Sequence, residues 1–421
     1  MKRRTFIQNT ALAAFSPFVL NLLSCNGLLN LGKPRRRIFV FVQLIGGNDG
    51  LNTLIPLTDY GNLIAARPNL YIPENKVLQL NDYPTVGLHP SLGGLQDMFN
   101  NKLLSFVQGV GYDKPNYSHF RSSDIYLTGS EANDVLYTGW MGRYLETRFK
   151  GYPEGFPNAE NLHPPAIKVS DTGTFLFLGD RMDMSMVVDA YAEFKEPEVE
   201  SNGNGRINYV DQQVNTIREI TKQTKKYAGT IREGLKSNFQ HSDKYPSKGE
   251  NPLADKLKTV ANLIHSGMDT PAYMVDLNGF DTHDYQADSQ NTTKGMHADL
   301  LAKVSQAVTC FWDDMTHIGM EEEVCGVIFS EFGRRIKSNA SAGTDHGASQ
   351  PFIFFGKKLA GGIIGDNPSI PKNATVFDNL EKQFDFRTVY SSILKGWYEA
   401  PDEAISNTIS GIYPSLNLFK P

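Results

Sequence analysis

The sequence predicts an α/β fold in which helices cover both faces of a mostly parallel central sheet, giving three α/β/α layers. Apolar runs rich in β-branched and aromatic residues alternate with segments of helical period, which is the pattern of parallel strands joined by crossover helices. Several of these runs end in turns rich in glycine and acidic residues. The composition, with 40% hydrophobic and 21% charged residues among 421, is that of a globular protein large enough for one big domain or two smaller ones.

The first half of the chain supplies the opening strands and helices. Residues 37–44 form a run dominated by β-branched and aromatic residues, which is typical of a strand buried on both faces. Ser118 fits the N-cap of a helix, because its hydroxyl could satisfy a free backbone N–H. The elements expected here are strands at 37–44, 103–108 and 166–170 and helices at 91–101 and 118–127.

The second half resumes the alternation after a polar segment. Residues 207–239 have helical period with Lys and Glu on the polar face, which predicts a long surface helix in an insertion near 200–250. A loop rich in Pro and Gly follows it. The elements expected beyond the loop are helices at 252–266, 293–317 and 386–398 and strands at 272–277, 323–329 and 351–355.

The N-terminus has the features of an export signal. Arg3 and Arg4 precede a moderately apolar stretch at 11–23, which resembles a bacterial twin-arginine signal peptide covering residues 1–24. The alternative is an amphipathic helix of the mature protein. We expect the twin-arginine machinery to be a partner and the mature chain to lie outside the cytoplasm, in the periplasm or on the outer membrane.

Cys25 directly follows the apolar stretch. Its context, Leu22-Leu23-Ser24-Cys25, resembles a lipobox, in which the cysteine thiol receives the lipid. Contact with a membrane is expected only through this anchor, and a chance cysteine in a signal cleaved elsewhere is the alternative. Residues 25–37 would then be a tether to a single domain at 38–421. The two remaining cysteines, Cys310 and Cys325, are expected to be buried free thiols.

The charge balance excludes some classes of function. The net charge is −5, and removing the basic signal makes the mature chain more acidic, so a nucleic-acid partner is not expected. The Gly46-Gly47 turn lacks the G-x-G-x-x-G spacing of a dinucleotide-binding loop.

Polar residues are concentrated where apolar strands end. Ligands of open α/β sheets bind beyond the carboxyl ends of the strands, so these side chains could converge on one site. Carboxylates together with imidazoles suit Zn²⁺, with Mn²⁺, Mg²⁺ or Ca²⁺ as alternatives. Each residue also has a structural interpretation, as a turn or helix cap, an ion-pair partner or an exposed loop histidine. The candidate ligands are Asp49, Asp281, His283, Glu331, Asp345 and His346.

Seven short motifs follow one another from about residue 38 to 398: Gly46-Gly47-Asn48-Asp49-Gly50-Leu51-Asn52-Thr53, Leu88-His89-Pro90, Ser118-His119-Phe120, Gly279-Phe280-Asp281-Thr282-His283, Ser330-Glu331-Phe332-Gly333-Arg334, Asp345-His346 and Asp385-Phe386-Arg387-Thr388-Val389-Tyr390. In this order they resemble the motif series of the bacterial domain-of-unknown-function 1501 family. That family is similar in fold to the alkaline phosphatase and sulfatase superfamily, whose members hold one or two metal ions at strand ends. The resemblance implies an alkaline-phosphatase-like domain in which the six candidate ligands bind divalent metal.

The same resemblance implies a nucleophile at the start of the second helix, where Ser118 stands beside His119. Ser122, Ser123 and Thr53 are competing hydroxyls, and a plain N-cap is the structural alternative for Ser118. Arg121 and Arg143 are candidates for binding an oxyanion, although exposed helix arginines are common. The sulfatase Cys-x-Pro-x-Arg motif is absent, so a formylglycine nucleophile is excluded.

These observations predict an exported, metal-dependent hydrolase of phosphate or sulfate esters. Its substrate would be a small molecule or a polysaccharide ester. The alternative is a non-catalytic exported binding or scaffold protein that keeps the fold.

Overall fold

The computed structural model describes residues 36–170, 173–190, 225–237 and 239–420. The predicted signal peptide, Cys25 and nearly all of the predicted tether lie outside these residues, as does most of the predicted helix at 207–239. Residues Arg37–Pro421 belong to one compact unit.

The strands in chain order are β1 (Ile38–Ile45), β2 (Leu54–Pro56), β3 (Leu78–Leu80), β4 (Tyr83–Leu88), β5 (Leu104–Gly111), β6 (Ala166–Val169), β7 (Ser185–Val188), β8 (Ala272–Asn278), β9 (Val324–Ser330), β10 (Gly333–Ser338), β11 (Thr344–Gly347), β12 (Gln350–Gly356), β13 (Gly362–Ile364) and β14 (Phe384–Asp385). A nine-stranded sheet has the order β13-β5-β12-β9-β1-β8-β6-β7, and β14 also pairs with β5. Strand β1 is central and runs parallel to both β8 and β9. Only β12 runs antiparallel to its neighbours in this sheet, which makes the sheet mixed but mostly parallel.

The helices in chain order are α1 (Gly50–Thr53), α2 (Tyr60–Ala66), α3 (Gly93–Asn100), α4 (His119–Thr128), α5 (Trp140–Arg148), α6 (Pro252–His265), α7 (Met296–His317), α8 (Phe386–Ser392) and α9 (Asp402–Thr408). Residues 225–235 are also helical. On one face of the sheet, Phe41 of β1 packs edge-on against Trp140 of α5, with ring centroids 5.7 Å apart. On the other face, Phe355 of β12 packs against Phe311 of α7 at 6.2 Å. The predicted three-layer α/β class is confirmed.

Differences from the expected elements are local. The predicted helix at 386–398 ends at Ser392 and continues as a π-helical turn, Ile393–Trp397. The short strands β2, β3 and β4 form a separate antiparallel sheet that the sequence pattern did not predict. Strands β2 and β3 have three residues each and are too short to display a period, while the six residues of β4 include Pro84 and Gly87, which disfavour a strand.

Two further expectations concern the cysteines and the membrane. Cys310 and Cys325 are buried free thiols, as predicted. Among the described residues, no helix is both long and apolar enough to cross a bilayer.

Candidate metal centre

The central sheet brings three polar turns to one edge. Ile45 of β1 pairs with Asn278 of β8, and Leu44 pairs with Ser330 of β9, so the three strands end side by side. The turns that follow carry Asp281 and Glu331. The hairpin β10–β11 then folds back over this edge, and α4 begins beside it with His119.

Asp281 lies at the centre of a cluster of imidazoles. Its Oδ1 is 3.1 Å from Nε2 of His346 and 3.2 Å from Nε2 of His283, while its Oδ2 is 3.3 Å from Nε2 of His119. The Oδ1 also accepts a hydrogen bond of 2.7 Å from Nη2 of Arg334. Ligand atoms of His119, Asp281 and His346 all lie within 4.8 Å of one another, which is close enough to share one metal ion.

The tautomer of His346 follows from its backbone contact. Its Nδ1 lies 2.6 Å from the carbonyl oxygen of Tyr117. A carbonyl can only accept, so Nδ1 carries the hydrogen and donates it. Burial lowers the pKa of His346, which keeps the ring neutral and leaves a lone pair on Nε2.

The other two imidazoles are held in the same way. His119 Nδ1 lies 2.8 Å from Oε1 of Glu331, and His283 Nδ1 lies 3.2 Å from Oδ1 of Asp345. Carboxylates behind histidines fix the ring orientation and the tautomer in many metal sites. Glu331 and Asp345, which were predicted as ligands, therefore contact the imidazoles from behind.

The donor set fits a cation. Nε2 of His283 and Nε2 of His346 face each other at 2.8 Å, and both rings use Nδ1 toward an oxygen acceptor. The Asp281 carboxylate lies beside both nitrogens. A divalent cation would accept lone pairs from these atoms, and three imidazole nitrogens with one carboxylate suit Zn²⁺.

Electrostatics keep Asp281 ionised and His119 basic. Partial burial acts to raise the pKa of Asp281, but the Arg334 guanidinium and the neighbouring imidazoles hold it at about 2. The hydrogen bond to Glu331 raises the pKa of His119. The Asp281 and His283 side chains are 46% and 43% exposed, so an ion and a small molecule can reach the cluster from solvent.

The turn that follows β1, beside the cluster, requires two glycines. Gly46 and Gly47 have φ values of +122° and +82°, which side chains rarely tolerate. A Cβ on Gly46 would lie 2.2 Å from the backbone N of Asp281, and one on Gly47 would lie 2.3 Å from the ring of Phe332. The Phe332 ring in turn packs against His346, with centroids 4.4 Å apart. The absence of side chains at Gly46 and Gly47 thus allows the Asp281 loop and the Phe332 ring to pack directly against this turn.

Asp49 lies in a separate, fully buried ion pair. Its Oδ2 accepts hydrogen bonds from Nη1 of Arg67 at 2.6 Å and from Nε2 of Gln286 at 2.5 Å. Burial acts to raise the pKa of Asp49, but the Arg67 guanidinium lowers it below the ordinary value. Arg67 also donates to the carbonyls of Arg335 and Ile336, so it joins the glycine turn to β10. Asp49, one of the six candidate ligands, is thus paired with a protein cation in this structure.

Ser118 and the two predicted oxyanion arginines differ in their positions. Ser118 is exposed, makes no capping hydrogen bond with its side chain, and lies between Tyr117 and His119, which both contact the cluster. Arg121 donates to loop carbonyls at residues 131–134. Arg143 donates to the carbonyls of residues 128, 138 and 408. Their donors therefore anchor loops, and the guanidinium that contacts Asp281 belongs to Arg334.

Sequence reasoning missed the roles of three residues. His119 was predicted beside a nucleophile, and the structure brings it to Asp281. Arg334 was named only as part of a motif, although it pairs with Asp281. Arg67 carried no motif signal, because a lone arginine in a helical segment is usually exposed.

A protein-family model matches the part of the chain that contains most of the cluster residues. A family described as "Protein of unknown function (DUF1501)" matches residues 201–394. The match covers just under half of the chain, so it shows a likeness over this segment. The matched DUF1501 segment contains Asp281, His283, Glu331, Asp345 and His346, and the resemblance inferred from the motifs is confirmed. No curated protein matches the sequence.

Solved structures of the alkaline phosphatase superfamily are similar at low identity. A superfamily protein from Vibrio parahaemolyticus is 9% identical, with a TM-score of 0.36, over 80% of this chain and 64% of that chain. The alkaline phosphatase of the Antarctic bacterium TAB5 is 9% identical, with a TM-score of 0.33, over 79% of this chain and 95% of that one. The zinc complex of the C-terminal periplasmic domain of EcEptC from Escherichia coli is 9% identical, with a TM-score of 0.34, over 78% and 74% of the two chains. The chain thus spans 64%, less than two thirds, of the length of the first of these proteins.

Proposed function

We propose that this protein binds one divalent metal ion, preferentially Zn²⁺, through Asp281 and the Nε2 atoms of His119, His283 and His346. The observation that carries the proposal is the convergence of these imidazoles on one carboxylate while each Nδ1 faces an oxygen acceptor. Glu331, Asp345 and the Tyr117 carbonyl hold the rings in the ligating orientation.

The buried Asp49–Arg67 pair favours a single ion. A second metal at Asp49 would have to displace a guanidinium that is fully buried and hydrogen-bonded to two carbonyls as well. Removing that guanidinium from its partners would cost several kcal/mol. The Arg67 cation thus supplies the positive charge that a second metal would otherwise supply.

For the reaction, we propose hydrolysis of a phosphate or sulfate ester. When bound, the metal supplies positive charge that lowers the pKa of a bound hydroxyl and stabilises an oxyanion. Ser118 is the candidate nucleophile, since it is exposed at the N-terminus of α4 and flanked by two residues that contact the cluster. Its hydroxyl would attack phosphorus or sulfur and expel the alcohol, and water would then release inorganic phosphate or sulfate.

One observation favours the non-catalytic alternative. Arg334 already donates to Oδ1 of Asp281 at 2.7 Å and is itself buried, so the carboxylate is partly neutralised by the protein. An activity measurement separates the two functions. The metal-loaded chain lacking residues 1–25 should hydrolyse 4-nitrophenyl phosphate or 4-nitrophenyl sulfate, and Asp281→Ala should lose that activity.

The control variant for this assay is His317→Ala, because His317 is an exposed histidine at the end of α7. It should retain wild-type turnover. A protein that binds metal at Asp281 but releases neither phosphate nor sulfate above background would favour the binding-protein function. Loss of turnover in Ser118→Ala with unchanged metal content would support the nucleophile assignment.

We also propose that the chain is exported by the twin-arginine route and anchored by a lipid on Cys25. The proposal rests on the sequence of the first 25 residues. Arg3→Lys/Arg4→Lys should leave the protein in the cytoplasm in a cell-fractionation experiment. Cys25→Ala should abolish incorporation of a labelled fatty acid without blocking export. Export of the Arg3→Lys/Arg4→Lys variant to the periplasm would contradict the assignment of the signal.

A further inference from the structure

A depression of about 290 Å³ opens directly beside the histidine cluster. His283, His346 and the carboxylate of Asp345 form the side next to the cluster, and the remainder is lined by Tyr117, Arg335, Val376 and Phe377. A ligand in this depression would therefore reach the cluster with one end and the Arg335 side with the other. Pockets that combine aromatic walls with a few polar groups are typical of small-molecule sites.

Arg335 presents its guanidinium to this depression. On β10, side chains alternate between the two faces, so Arg334 points into the buried network at 1% exposure while Arg335 points the opposite way. The guanidinium carbon lies 5.2 Å from the centroid of the Tyr117 ring. Within the described part of the chain it makes no hydrogen bond. Asp378 is near enough to interact with its charge, but Oδ2 of Asp378 accepts from the backbone N of Thr375.

The backbone at Arg335 is held firmly. Its carbonyl accepts a hydrogen bond of 2.6 Å from Nη2 of Arg67, which is anchored on the buried Asp49. A stacked guanidinium on a fixed strand, whose N–H donors find no acceptor among the described residues, matches the planar two-oxygen face of a phosphate, sulfate or carboxylate. The position is therefore suited to recognise an anion that lies away from the cluster.

Apolar surface completes the depression. Phe377 is 78% exposed and Val376 is 45% exposed, so together they give the depression an apolar side. A ring-bearing ligand would cover the face of Phe377 while its charged ends contact the two polar groups. A bare inorganic anion would leave this surface uncovered.

We infer that the depression binds a ring-bearing ester, such as a sugar ester, that carries a second anionic group, and that Arg335 binds this second group. The inference rests on the proposed hydrolase function and adds the substrate class to it. Arg335 acts as a specificity-determining residue, while the ester that reacts lies at the cluster.

The test compares two ligands that differ by one anionic group. Glucose 6-phosphate and glucose 1,6-bisphosphate are titrated into the Zn²⁺-loaded chain by isothermal calorimetry, with free phosphate measured after each titration. The bisphosphate should bind about tenfold more tightly, as one charge-assisted contact provides. Arg335→Ala should abolish this ratio and leave the affinity for the monophosphate within about twofold. Arg335→Lys should restore part of the ratio.

Arg181→Ala is the matched control, because Arg181 is an exposed arginine that pairs with Glu154. The Arg181→Ala variant should keep the wild-type ratio of the two affinities. If Arg335→Ala does not fold, Arg335→Gln takes its place. The inference is overturned if the two ligands bind the wild type equally well, or if their affinity ratio is unchanged in the Arg335 variants. Measured phosphate release in those experiments would still support the hydrolase function. A ratio that depends on Arg335 without any phosphate release supports the site and contradicts the hydrolase function.

Discussion

Replacing Glu331 tests whether the group behind His119 contributes to metal binding. Glu331 is fully buried, and its Oε1 accepts from both Nδ1 of His119 and the backbone N of Gly46, each at 2.8 Å. In Glu331→Gln, the amide oxygen can keep these two contacts because the side chain has the same shape. The substitution removes the negative charge that raises the basicity of the imidazole. We therefore expect a loss of metal affinity with little change in fold.

The magnitude depends on which contacts each variant keeps. Loss of a group behind a metal-binding histidine costs about 10- to 100-fold in affinity, which is about 1.4 to 2.7 kcal/mol. Glu331→Gln should fall at the tenfold end because its geometry is preserved. Glu331→Ala should fall at the hundredfold end, and it also leaves the buried N–H of Gly46 unpaired, which costs about 1 to 3 kcal/mol of folding stability.

The assay is competition with a chelator of known zinc affinity, with urea unfolding measured on the same samples. Wild type and His317→Ala should bind equally. The expected order of affinity is wild type, then Glu331→Gln, then Glu331→Ala. Equal zinc affinity in all three proteins would refute the reasoning, because His119 would then not be a ligand that Glu331 orients.

Two further predictions concern stability. Burial lowers the pKa of His297 to about 4 and that of His89 to about 3, so the unfolded chain binds more protons than the folded chain below pH 6.5. The stabilisation that comes from these two neutral imidazoles should therefore be fully present above pH 6.5. The free energy of unfolding, measured in urea, should fall by about 2 kcal/mol per imidazole between pH 7 and 5. The same dependence on pH in wild type and in His297→Gln would contradict this prediction. Arg67→Met should cost about 3 to 5 kcal/mol, because it leaves Asp49 buried without its cation. The double variant Arg67→Met/Asp49→Asn should recover part of that loss, and a fully additive loss would contradict the pairing.

The sequence predicted the main elements where the patterns were long. Strand β1 was expected at 37–44 and is Ile38–Ile45, because the five consecutive β-branched and aromatic residues at 38–42 leave few alternatives to a buried strand. The direction of β12 was not predictable, since a fully buried run looks the same whether its neighbours are parallel or antiparallel. Short strands such as β2 lie below the length at which periodicity is informative.

The candidate site was predictable only in part. Asp281 and His283 are two residues apart, so their proximity follows from local geometry. The approach of His119 to Asp281 depends on how α4 packs against the sheet edge, which no local pattern encodes. The pairing of Asp49 with Arg67 likewise arises from tertiary packing, because a turn acid and a helix arginine separated by 18 residues have many possible partners.

Metal content tests the central claim most directly. The chain without residues 1–25 is purified, dialysed against Zn²⁺ and then against metal-free buffer, and analysed by mass spectrometry for metals. We predict one Zn²⁺ per chain in wild type, in His317→Ala and in Asp49→Asn, and none in the double variant Asp281→Ala/His346→Ala. Two ions per chain, or one ion retained by the double variant, would contradict a single centre built on Asp281 and the surrounding histidines.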